Sequence, residues 1–262
     1  LYWRERNLKI LKEVETSFFS EDWWFKTTQA FMLVENGEIK KASRYGQMAW
    51  DIKNTGNCAH TLTHLHYESA RYRDGRQFIK KWRSSFGSSS NMLHHIDWHD
   101  ALLSLKLNKK NEVFSIFEDL ISNKDGVAPL EYLADNVSLL WYCIIKDINV
   151  PHTWNIEMHE YIEKHFPDIG FKFVDLHRSM LVASASHEIR ENYFMKIESE
   201  DSHIKSTLKE LTEGFISFFD GNYSDAIRYL DKIEPQNAIY GGSNVQRYII
   251  GETNKIAHTK SL

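Results

Sequence analysis

The sequence predicts an all-α chain, a right-handed α-solenoid built from antiparallel helix pairs. Three observations predict it. Apolar residues recur at three- and four-residue spacing along almost the whole chain, which is the periodicity of a helix face. Only 4 Pro and 12 Gly interrupt 262 residues, too few breakers for a strand-rich sandwich or barrel. The helical runs come in pairs joined by short turns, at a repeat of roughly 34 to 40 residues, the mark of stacked helical repeats.

The elements follow in order. Leu1–Glu15 reads as a helix through Leu8, Leu11 and Val14. Glu21–Glu35 carries Trp24, Ala30, Phe31 and Val34, and Asn36-Gly37 ends it; Glu38–Lys53 is its antiparallel partner. Trp23, Trp24 and Phe25 stand in a row, so they cannot all point inward from one helix. Asn57–Ala70 and Gly75–Ser85 form the next pair around an Arg73-Asp74-Gly75 turn, closed by the Gly87-Ser88-Ser89-Ser90 loop. Met92–Leu107 and Asn111–Asn123 follow, joined by Asn108-Lys109-Lys110. Pro129–Lys146 and Pro151–Phe166 each open at a proline, which suits a first helical turn because its missing N–H needs no partner there. Phe171–Ser186 pairs with Ile189–Glu198, and Ser202–Asp220 with Tyr223–Ile233 across Gly221-Asn222. A last helix runs from about Ser243 to His258.

The clearest repeat is Leu211–Ile233. Gly214, Phe218, Gly221-Asn222-Tyr223, Ala226 and Pro235 approximate the tetratricopeptide order of small residue, turn, aromatic, Ala and closing Pro. No shift in composition marks a boundary, so residues 1–262 read as one tetratricopeptide-like domain. The chain lacks an initial Met and opens directly into a helix, which predicts a piece of a longer protein without its first repeats.

Composition narrows the function classes. A net charge of -4 leaves no basic excess to neutralise phosphates, which argues against nucleic acid as a partner. No apolar run reaches the length of a membrane span, so no membrane partner is expected. Cys58 and Cys143 each sit in an apolar helical run; free buried thiols are the expectation, and with them a cytoplasmic location.

Five elements resemble, in the same order, those of the tetratricopeptide repeat protein 38 family and its bacterial relatives. They are Ala59-His60-Thr61-Leu62-Thr63-His64, His95-Ile96-Asp97-Trp98-His99-Asp100-Ala101-Leu102, Asp135-Asn136-Val137-Ser138-Leu139-Leu140-Trp141, Asp175-Leu176-His177 and Gly241-Gly242-Ser243-Asn244-Val245-Gln246-Arg247. The resemblance spans about residues 20 to 260 and implies a tetratricopeptide-like fold without a settled activity. The chain departs from the pattern at Asn244 and Tyr248, where the family tends to have His and Asp, and at Arg178, where it has a small residue.

The chemistry rests on histidine spacing. His60 and His64 lie i, i+4 on one helix, and His95 and His99 repeat that spacing on another, so each pair shares a face one turn apart. Both pairs, with Asp135 and Asp175/His177, fall on the first helices of their units, which line the concave face of a solenoid. One reading is a metal site, two imidazoles plus an acid from another helix. The other is an organic pocket with Trp98 and Trp141 as walls. Against both stands simple packing, since 13 His in one chain make i, i+4 pairs common. Thr61 and Ile96 occupy the position where a zincin carries its Glu, so hydrolysis of that type lacks its base. His66 and His94 point away from the pairs, and Cys58 cannot face His60 at i, i+2. Gly241-Gly242-Ser243 before a helix, with Arg247 one turn in, suits either an anion or an ordinary cap.

The ligand-binding candidates are thus His60, His64, His95, Trp98, His99, Asp135, Trp141, Asp175, His177, Ser243, Gln246 and Arg247. The expected partner is a small molecule or peptide in a concave groove, or a protein. An interaction scaffold and an enzyme with a His-rich acid–base or metal-assisted site are the alternatives. The residues name no cofactor, and no catalytic residue or metal ligand is assigned.

Overall fold

The computed structural model describes residues 2–15, 22–85, 90–199 and 205–262. All regular structure among the described residues is helical. The first compact unit, Leu1–Val127, holds α1 (Tyr2–Val14), α2 (Trp23–Glu35), α3 (Ile39–Ile52), α4 (Gly56–Glu68), α5 (Tyr72–Ser85), α6 (Leu93–Lys106) and α7 (Lys110–Ser122). The second, Ala128–Leu262, holds α8 (Pro129–Ile145), α9 (His152–His165), α10 (Lys172–Ala183), α11 (His187–Ser199), α12 (Lys205–Phe219), α13 (Tyr223–Ile233), a 3₁₀ turn (Glu234–Tyr240) and α14 (Asn244–Lys260). No helix among the described residues is long and apolar enough to cross a membrane. The ends that the sequence assigns to Leu1, Glu21 and Ser202, and the Gly87-Ser88-Ser89 stretch, lie outside the described residues.

Packing alternates in both units. In the first, α2 packs on α3, α4 on α5 and α6 on α7, while α4 also touches both α2 and α6. In the second, α10 contacts α8 and α12, and α14 lies against α8, α12 and α13. α4, α6, α8 and α10 are the most enclosed, and the odd-numbered helices flank them. Burial follows this division. α6 is buried from His94 to Ser104 without a break, whereas α13 buries only Ala226, Leu230 and Ile233, a single apolar stripe at helical spacing. An enclosed helix cannot send its polar side chains to water. Each must find a partner inside, and the candidate residues on α4, α6, α8 and α10 face that requirement.

Local signals explain most boundaries. Asp22 caps α2, its side chain accepting from the Phe25 N–H at 2.8 Å. Of the three aromatics that follow, Phe25 is buried, Trp23 lies under the Lys53 ammonium at 5.0 Å, and Trp24 is 51 % exposed. Gly37 and Gly221 take left-handed backbone at φ 78° and 80° in the turns expected there. Arg73-Asp74-Gly75 is not a turn. α5 starts at Tyr72, and the chain reverses at Ala70, which adopts φ 55°. Gly75 instead lets α5 approach its neighbours: a Cβ there would meet the His66 Cβ at 2.9 Å and Leu103 Cδ1 at 3.0 Å. Its glycine signals close packing, not a break.

Candidate functional site

In the first unit, α4 and α6 bring both histidine pairs together. His60 and His64 project from one face of α4, His95 and His99 from the facing side of α6. One ring nitrogen from each of the four lies within 4.8 Å of the others. His60 Nε2 is 2.9 Å from His64 Nε2, and the His64 and His99 ring centroids are 4.5 Å apart. The sequence reading asked for an acid from another helix to complete each pair. The structure supplies the other pair, and among the described residues no acid joins the cluster.

The cluster is enclosed. His64 and His99 have no exposed surface, His95 is buried and His60 is half-buried. Aromatic rings set the imidazole planes: Trp98 stacks on His95 at 5.1 Å, and Phe31 from α2 stacks on His60 and meets His64 edge-on. Among the described residues, neither nitrogen of His99 has a hydrogen-bond partner, nor does His64 Nδ1. Burial lowers the His64 pKa to about 3, with the neighbouring His95 adding to the effect. Burial, followed by the neighbouring imidazoles, holds His60 and His99 well below the usual histidine range. All three are therefore neutral at physiological pH, with lone pairs available for a proton donor or a metal ion.

The acids flanking these histidines serve other partners. Asp100 accepts from Arg76 Nε at 2.6 Å, and Arg76 also pairs with Glu112 of α7. Asp97 pairs with Arg83 of α5. Burial still raises Asp97 to about 6, outweighing the Arg83 charge. These pairs fasten α5 and α7 to α6. Sequence reasoning did not identify them; the buried Arg76 on an otherwise apolar stripe with Ile79 and Trp82 was the available signal.

The second unit holds the remaining candidates, each engaged within its own surroundings. His177 donates from Nδ1 to the Phe173 carbonyl at 2.6 Å, and burial lowers its pKa to about 4 against the opposing effects of that bond and of Asp135. Asp175 accepts from the Gly170 N–H at 3.0 Å, and Asp135 is buried on α8. Trp141 donates to Thr253 at 2.8 Å and packs edge-on against Phe215 at 4.9 Å, a core position. Ser243 and Gln246 form a reciprocal capping box at the start of α14. Arg247 turns back onto the Gly241 and Gly242 carbonyls and Asn244 Oδ1. The Gly-Gly-Ser…Arg segment thus satisfies itself as a cap. Gly242, at φ 71°, is needed there because a Cβ would meet Phe173 Cε2 at 2.6 Å.

One feature of this unit escaped the sequence reading. A cavity of about 770 Å³ lies among α9, α10 and α11, bounded by Ile162, Glu163, Arg178, Val182 and Tyr193. Arg178 is buried there and pairs with Glu163 and the Phe166 carbonyl. A charged residue in the run His177-Arg178-Ser179-Met180-Leu181 was the signal for it.

No family model matches the chain, and no solved structure matches it significantly.

Proposed function

We propose that this chain is a tetratricopeptide-like helical-repeat protein, a right-handed solenoid of the tetratricopeptide repeat protein 38 type, that binds a small ligand at the histidine site between α4 and α6. The alternating packing of even-numbered helices within each unit supports the repeat reading. So does the α12–α13 pair, where a Cβ at Gly214 would meet Leu230 Cδ2 at 2.8 Å and Ala226 is fully buried, the close contacts that small residues serve in such repeats. The free buried cysteines support a reducing, cytoplasmic setting.

The observation that carries the ligand reading is His99. It is wholly buried, surrounded by three other imidazoles, and neither of its nitrogens has a hydrogen-bond partner among the described residues. Buried polar groups are nearly always satisfied, so this one calls for a partner from outside the chain. Enclosure narrows the ligand. A peptide needs an open groove, whereas three of these four side chains are buried, which favours an ion or a molecule of a few atoms. Native mass spectrometry of the untagged protein tests the reading. A bound mass lost in the His60→Ala/His99→Leu double variant is expected; a wild-type chain that carries and takes up nothing contradicts it.

A further inference from the structure

We infer that this ligand is a divalent late first-row transition-metal ion, held by one ring nitrogen from each of His60, His64, His95 and His99. The inference rests on the proposed ligand site and names the chemistry of its occupant.

The geometry supports coordination. Two ligands one turn apart on α4 face two ligands one turn apart on α6, so a single helix–helix contact fixes all four donors. A zinc-like ion with metal–nitrogen bonds near 2.0–2.1 Å separates its ligand nitrogens by about 3.3 Å in a tetrahedron. The nitrogens here lie within 4.8 Å of one another, so small side-chain rotations close the set. His60 Nε2 and His64 Nε2, 2.9 Å apart, are already near that scale.

The donor chemistry selects the ion. Four imidazoles offer ring nitrogen and neither thiolate nor carboxylate. Magnesium and calcium require oxygen ligands and are excluded by that set. Zinc, copper, nickel and cobalt accept imidazole readily. Cys58 is not a fifth donor; its sulfur lies 3.0 Å from Thr27 Oγ1, and it sits two residues from His60 on the same helix.

Access is through His60. A cavity of about 160 Å³, bounded by Trp24, Thr27, Phe31, Asn57, His60 and Thr61, reaches the half-buried ring. With about 30 Å³ per water in the liquid, it admits an ion with part of its hydration shell.

The test uses the untagged full chain, stripped with a chelator and titrated with Co²⁺ while visible absorption is followed, then with Zn²⁺ as competitor. One Co²⁺ per chain is expected, with the intense absorption of a four- or five-coordinate ion, displaced by Zn²⁺. His99→Leu and, separately, the less buried His60→Ala should each weaken uptake by more than the roughly 100-fold that loss of an outer-shell partner costs. His66→Ala, on another face of α4, should leave uptake unchanged. Circular dichroism checks that each variant folds. Absence of uptake, or weak uptake equal in all four proteins, overturns the metal assignment. A protein that takes up no cobalt yet carries an organic mass lost in the histidine variants overturns the metal alone and leaves the ligand site standing. A protein that binds neither overturns both.

Discussion

His60 and His64, one turn apart on α4, place their Nε2 atoms 2.9 Å from each other, inside a site that His95 and His99 complete from α6. Two imidazoles so close either share one proton or bind one ion. Burial opposes a second proton, and it holds both rings in the neutral form. This contact, formed by two residues four apart in sequence, gives the unit its chemical character.

His99 costs the metal-free fold stability. Leaving a buried polar group unsatisfied costs about 1–3 kcal/mol, whereas an apolar side chain of similar size needs no partner. His99→Leu should therefore raise the unfolding free energy of the metal-free protein by about 1 kcal/mol while removing the stabilisation that added Zn²⁺ gives the wild type. Urea denaturation with and without Zn²⁺ measures both. A loss of 2 kcal/mol or more in the metal-free variant would show that His99 is a satisfied packing residue.

The Arg76–Asp100 pair is buried at both ends, at 2.6 Å. Removing one partner of such a pair costs about 3–5 kcal/mol, because the other charge is left stranded, whereas replacing both with apolar residues is close to neutral. Arg76→Met, which strands the buried Asp100, should destabilise by about 3 kcal/mol, and Arg76→Met/Asp100→Leu should recover most of that loss. The exposed share of Glu112 leaves it free to turn to Lys109 in the double variant. Chemical denaturation of both variants decides; a double variant as unstable as the single one contradicts the argument.

His177 makes the second unit acid-sensitive. Its pKa falls from an ordinary value of 6.5 to about 4 on folding, so below pH 6.5 the unfolded chain binds a proton that the folded chain refuses. The stability it contributes is present above pH 6.5 and is lost as pH falls through the window down to 4, by about 3 kcal/mol in all. His177→Asn keeps a donor for the Phe173 carbonyl and removes the titration. Denaturation midpoints from pH 7 to 4 should fall less steeply in this variant than in the wild type. Parallel curves would remove His177 from the explanation.

Much of this was legible in the sequence, for physical reasons. Helical periodicity is local, so the helices and most turns could be read from apolar spacing, with Gly37, Asn108 and Gly221 marking reversals. Gly75 misled because a glycine that breaks a helix and one that admits a neighbouring side chain look alike in sequence. The i, i+4 spacing correctly identified each histidine pair as a single face. Their convergence is a tertiary fact, set by the α4–α6 contact, and no spacing within one helix reveals it. Arg247 shows the reverse limit. A basic residue one turn into a glycine-headed helix reads as an anion ligand, yet here its guanidinium turns back onto the carbonyls of that turn. Arg76 stood out on its apolar stripe, but the carboxylates that the α5 arginines meet could not be read, because they lie on other helices.

The X-ray absorption spectrum of the Zn²⁺-loaded, untagged chain at the zinc edge reads the four-histidine site itself. Four imidazole nitrogens at about 2.0–2.1 Å, with the outer-ring scattering of four histidines, are the expected result. A spectrum dominated by oxygen, or one unchanged in the His60→Ala/His99→Leu double variant, would contradict it.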